Sequence, residues 1–191
     1  MSYEMKILKT IREIKIELYN KNNISFVPTM GNIHDGHLFL IRKAKEQNKF
    51  LVCSIFVNQL QFEDKTDFIS YPRTIERDIK LLRLAGVDLL FIPSDSEIFP
   101  VKQNFIVKPP KNISSILEGE YRPGFFEGVA TIVLKLFNIV QPNIAFFGKK
   151  DFQQALVIKT MCSQLQINTS INTVETMRDK SGLAFSSRNI R

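Results

Sequence analysis

The run FLVCSIFVN (50–58) constrains the fold more than any other stretch of this chain. It is apolar without alternation, so a strand built from it needs cover on both faces, the condition of a parallel strand inside an α/β sheet. Neighbouring segments supply that cover. ISFVPTM (24–30) is a second short apolar strand, and LFLIRKAKEQ (38–47) repeats apolar residues at helical spacing. TIERDIKLLRLAG (74–86) reads as a helix with Thr74 as its N-cap and Gly86 as its stop, and VDLLFIPS (87–94) as the next strand. After a less regular stretch come a helix at 127–142 stopped by Pro142, the strand NIAFFG (143–148), a helix at 151–166 and a closing strand at 169–177. Strands separated by helices of roughly 10 to 15 residues imply βαβ units, hence a doubly wound, mostly parallel α/β sheet with helices on both faces.

At 191 residues, with 44% hydrophobic and 24% charged, the chain has material for one compact domain spanning 1–191. No apolar run approaches the roughly 20 residues that cross a membrane. The N-terminal stretch mixes acids, bases and apolar residues at helical spacing and lacks the apolar centre of a secretory signal, so a cytoplasmic location is expected. Cys53 and Cys162 both fall in apolar patterns and read as small core residues. Two histidines and no CxxC offer too few ligands for a structural zinc. The formal charge of +7 suits either nucleic acid or an anionic small substrate. Because the basic residues are scattered rather than massed, no nucleic-acid partner is expected, and a basic nucleic-acid-binding module is kept only as the alternative of a different class.

Doubly wound sheets bind ligands at the carboxyl ends of their strands. The segments that follow strands are MGNIHDGH (30–37), NQLQF (58–62), GKKD (148–151) and SGLAFSSRN (181–189). The first holds the chain's two histidines, His34 and His37, three positions apart at a helix start, where backbone N–H groups and the helix dipole suit phosphate. A solvated helix start is the competing reading. GKKD brings Gly148, Lys150 and Asp151 to a second strand-to-helix turn, although the aspartate could simply cap the helix. Ser186, Ser187 and Arg188 form a polar loop that gains weight only from its company, and the amides of NQLQF could hold a polar substrate or merely shape a turn. There is no nucleophile with an adjacent base. Imidazoles, a lysine, an arginine and helix starts are equipment for stabilising a transferring phosphate, which points to nucleotidyl transfer or adenylation of a small substrate.

Seven segments then resemble one family in order and spacing, from about residue 24 onward: FVPTMGNIHDGH, SIFVNQLQF, YPRT, AGVDLLFIPS, LEGEYRPGFFEGVATIVLKLFNIVQP, FFGKKDFQQ and SGLAFSSRN. The family is the pantoate–β-alanine ligases. The resemblance implies a Rossmann-like fold of the HxGH nucleotidyltransferase superfamily. It implies ATP- and Mg²⁺-dependent condensation of (R)-pantoate with β-alanine through a pantoyl adenylate, releasing pyrophosphate and AMP. Another HxGH nucleotidyltransferase, which would release its nucleotidylated product, is the nearest alternative. Carried over by motif, Met30, Gly31, Asn32, Ile33, His34, Asp35, Gly36 and His37 form the ATP-binding turn, with His37 as proton donor and His34 on the phosphates. Gly148, Lys149, Lys150 and Asp151 contact ATP, with Lys150 on phosphate and Asp151 on ribose. Met177 touches adenine, and Phe185, Ser186, Ser187 and Arg188 close on the phosphates. Gln61 and Gln154 bind pantoate, with Asn58 and Arg122 as further candidates. The resemblance gives no metal ligands and suggests a homodimer. Gln59, Lys149 and Phe125 depart from the family's usual Pro, Glu and His, and the family's smaller C-terminal lid is expected to lie outside these 191 residues.

Overall fold

The computed structural model describes residues 4–47 and 50–189. In chain order its elements are β1 (Lys6–Leu8), α1 (Ile11–Leu18), β2 (Ile24–Thr29), α2 (Asp35–Gln47), β3 (Phe50–Ile55), α3 (Lys65–Ser70), α4 (Ile75–Leu84) and β4 (Leu89–Phe91). They continue with α5 (Asp95–Ile98), α6 (Lys111–Ser114), α7 (Glu118–Tyr121), α8 (Phe125–Val140), β5 (Ile144–Gly148), α9 (Phe152–Gln164) and β6 (Ser170–Val174). Single 3₁₀ turns stand at Gln59–Gln61 and Lys149–Asp151.

The six strands form one sheet in the order β1-β4-β3-β2-β5-β6, and every pairing is parallel. The chain steps outward from β2 through β3 to β4, then returns to place β5 on the other side of β2. Strand order therefore reverses between β2 and β5, and the segments following these two strands flank the crevice.

The apolar run of β3 is explained by two separate cores. Phe26, Val52, Leu89 and Phe147 point into one, covered by α1, α8 and α9. Val27, Cys53, Leu90 and Phe146 point into the other, covered by α2 and α4. Successive strand residues thus enter opposite cores and are nearly all apolar, the small buried Ser25 and Ser54 being among the exceptions.

The first half of the chain departs from the sequence reading in two local details. The N-terminal stretch forms β1 as well as a helix, and β1 borders β4 at the sheet edge; three residues are too few to register as a period. A capping box between Thr10 and Glu13 starts α1. Thr74 stands at the N-cap of α4 but makes no cap bond, because its hydroxyl donates to Asp78 Oδ1 at 3.0 Å. Among the described residues no helix is long and apolar enough to cross a membrane.

Candidate active site

Immediately after β2 the backbone turns through Gly31 at φ 79° and Asn32 at φ 50°. The turn is held from outside: Asn32 N and Ile33 N each donate to the carboxylate of Asp78 on α4, both at 2.8 Å. It delivers His34 to the threshold of α2 and His37 to its first turn. Their rings stack with centroids 4.0 Å apart and planes 28° from parallel, and Phe185 stacks on His34 at 6.4 Å. Gly36 is what permits this stack. A Cβ there would sit 3.1 Å from the His34 ring and 3.2 Å from Phe185 Cβ.

Both imidazoles are uncharged at neutral pH. Burial, then the neighbouring His34, then Lys150, push His37 from 6.5 down to about 3. Burial and Lys150 likewise lower His34, against the opposing pull of Asp35 and Asp151. Nδ1 of each ring is buried without a hydrogen-bond partner among the described residues. The site therefore presents two neutral rings whose protonation an arriving polyanion would favour.

His37 also links stability to pH. The folded form resists a proton that the unfolded chain accepts near 6.5, so its stabilising contribution is complete above that value and is lost as pH falls toward about 3. The urea midpoint of the wild type should therefore drop between about pH 7.5 and about pH 5, and His37→Asn should flatten that slope.

The opposite wall is built by the 3₁₀ turn after β3 and by α8. Asn58 is buried, and its Nδ2 donates to Gly128 O at 3.2 Å and Gln61 Oε1 at 3.3 Å, while its Oδ1 accepts from Leu60 N. Asn58 thus spends its amide on holding Gln61. Arg122 donates to Gln61 O at 3.2 Å, pairs with Glu118 at 2.6 Å and lies 3.7 Å over the Phe125 ring. The phenyl at 125 is accordingly a platform for that guanidinium. On the β5 side, Lys150 pairs with Asp151 at 2.6 Å, and Asp151 makes no side-chain cap bond to α9.

These walls enclose a cavity of about 260 Å³. It gathers Met30, His34, Gly36 and His37 from the first turn, Asn58, Gln61 and Arg122 from the opposite wall, and Gly148, Lys150, Asp151 and Gln154 from the end of β5. Met177, Phe185, Ser186, Ser187 and Arg188 close the rim. Apolar side chains of α8, among them Val129 and Val133, floor it.

Five residues of the sequence reading lie outside this wall. Ile33 is fully buried in the second core, and Gly31 and Asn32 face Asp78 rather than the cavity. Asp35 is exposed at the start of α2. Lys149 does not line the cavity itself and pairs with Glu175 at its edge. In the other direction, sequence reasoning passed over Asp78, Tyr71 and Gly128. Asp78 hid on the polar side of a helix pattern. Tyr71 lines the cavity beside Ser187, whose hydroxyl shares a hydrogen bond with it. A glycine in the first turn of a long apolar helix was the available signal for Gly128.

The sequence matches the pantoate–beta-alanine ligase family over residues 5–191. The chain belongs to that family. It is also similar to the crystal structure of pantothenate synthetase from Thermus thermophilus, at 45% identity and a TM-score of 0.94, over 97% of this chain and 67% of that one. A pantoate–beta-alanine ligase from Francisella tularensis, crystallised with beta-gamma ATP and beta-alanine, is 42% identical with a TM-score of 0.95, over 98% of this chain and 73% of that one. As a pantoate–β-alanine ligase, the chain is an enzyme that condenses pantoate with β-alanine.

Among the described residues this ligase has no cage for a metal ion of its own, since no three His, Cys, Asp or Glu side chains converge. The cavity carboxylates Glu118, Asp151 and Glu175 are each paired with a cation.

Proposed function

We propose that this cavity binds ATP and pantoate and joins them as pantoyl adenylate before β-alanine takes the acyl group. The stacked, uncharged imidazoles beside Lys150 at the β2/β5 crevice carry the reading. A pantoate carboxylate oxygen attacks the α-phosphorus and pyrophosphate leaves with the electron pair of the broken P–O bond. The β-alanine nitrogen then attacks the acyl carbon, loses its proton and expels AMP.

Each wall suits one part of this chemistry. The rings of His34 and His37 offer N–H groups where charge builds on phosphate oxygens, and Lys150 adds a cation. Exposed ion pairs contribute little, so Lys150–Asp151 and Arg188–Asp67 exchange readily for phosphate contacts. Gln61 and Gln154 hold pantoate through neutral amides, which orient a carboxylate without quenching its nucleophilicity by an opposite charge. Met177 at the rim meets the base, and Asp151 the ribose. The donor set does not fit a protein-held Mg²⁺, so that ion enters as a counter-ion of the triphosphate. No role in contacting ATP is proposed for Lys149, Asn32 or Ile33.

Residues 1–191 act in this reading as the nucleotide- and pantoate-binding domain of a cytoplasmic homodimer, and sedimentation velocity tests the dimer. Calorimetry tests the site. The wild type should bind ATP and pantoate separately, and His34→Ala should weaken ATP at least about tenfold while leaving pantoate within about twofold. A wild type that binds neither, or AMP release independent of pantoate and β-alanine, sinks the proposal.

A further inference from the structure

Asp78 projects from the first turn of α4, is fully buried, and uses both carboxylate oxygens. Oδ2 accepts from Asn32 N at 2.8 Å; Oδ1 accepts from Ile33 N at 2.8 Å and from Thr74 Oγ1 at 3.0 Å. The two amides are consecutive and lie in a turn that leaves a strand and enters a helix, through the left-handed residues Gly31 and Asn32. Consecutive N–H groups in such a turn form an anion cradle, which glycine-rich phosphate loops direct at their ligand. In this chain the cradle is already full. Gly31 makes the room: a Cβ at that position would sit 3.0 Å from Asp78 Oδ2 and 3.0 Å from Ile55.

We infer that Asp78 is an internal anion that positions the adenylation site, closing the Asn32–Ile33 amide cradle so that the His34–His37 pair meets the nucleotide's phosphates instead. The inference rests on the ATP-binding reading given above. Asp78 does not line the cavity and touches no substrate in this reading; it acts through the turn. Its carboxylate fixes the peptide units immediately before His34, and His34 carries the stack with His37 and the contact with Phe185. Thr74 completes the arrangement by steering Oδ1 toward Ile33 N, which explains why this threonine forgoes its own helix cap.

The test uses Asp78→Asn, which keeps the shape but turns an NH₂ toward one of the two amides, and Thr74→Val, a milder lesion on the same carboxylate. Asp78→Asn should raise KM for ATP about tenfold and lower kcat of pantoate-dependent ATP–pyrophosphate exchange about 10²-fold, the scale of a misplacement near 1 Å. Its pantoate Kd, measured without nucleotide, should stay within about twofold. Thr74→Val should raise KM for ATP about threefold. Because the chain holds only two histidines, imidazole NMR gives two ring signals, and both should move in Asp78→Asn well below its unfolding midpoint. A folded Asp78→Asn with unmoved ring signals or unchanged KM for ATP overturns the inference, even if its Tm falls. Should Asp78→Asn not fold, Thr74→Val decides alone, and an unchanged KM for ATP overturns it. Failure of the wild type to exchange pyrophosphate overturns the ATP reading and this inference together, so the two failures are told apart.

Discussion

His37→Ala is expected to slow pantoate adenylation by about 10²–10³-fold, the usual effect of removing one preorganised donor from a site where charge develops. The ring at 37 is the more deeply enclosed of the pair, held near a pKa of about 3 by burial and by the neighbouring His34 and Lys150. Enclosure is what makes its N–H valuable, since a donor shielded from water is not competed away and needs no reorganisation when the α-phosphorus is attacked. Substitution also removes the partner against which His34 stacks at 4.0 Å. The defect should fall mainly on kcat of ATP–pyrophosphate exchange, with the pantoate Kd unchanged. An exchange rate within about threefold of wild type would show that the ring is a wall and not a donor.

Gly128→Ala should be strongly damaging although the residue does not itself line the cavity. A Cβ at 128 would lie 2.2 Å from Leu60 O and 2.8 Å from Gln61 N, and both neighbours are backbone atoms with no rotamer to yield. Either α8 or the 3₁₀ turn at Gln59–Gln61 must move. Overpacking of this kind costs about 1–3 kcal/mol or more, and in a chain of this size each 1 kcal/mol lowers Tm by about 2–4 °C. The turn is the weaker of the two, so Gln61 is displaced together with the Asn58–Gly128 bond that secures it. The expected result is a Tm lower by several degrees and a pantoate Kd raised at least about tenfold, with ATP affinity little changed. Gly124→Ala is the control: it has positive φ but nothing within 4 Å, so only backbone strain opposes it. Equal pantoate affinity in the two variants would remove Gly128 from any role at the site.

The outline of this molecule was legible because it depends on local pattern. The nearly continuous apolar run of β3 required two covered faces, and the alternation of strands with helices required parallel connections, which in turn sent MGNIHDGH and GKKD to the same end of the sheet. Residue types at those turns were enough to suggest phosphate chemistry, and seven segments in register were enough to suggest the ligase family. Partners were not legible. Asn32 and Ile33 lose their amides to Asp78, 46 and 45 residues away; Lys149 turns to Glu175, 26 residues on; Asn58 is consumed by Gly128, 70 residues on. Periodicity records which face of an element is buried and nothing about what it is buried against. Strand order decides that, by bringing α4 beside the turn after β2 and α8 beside the turn after β3. The protonation state of His37 belongs to the same class, since it follows from an enclosure that no stretch of sequence builds alone.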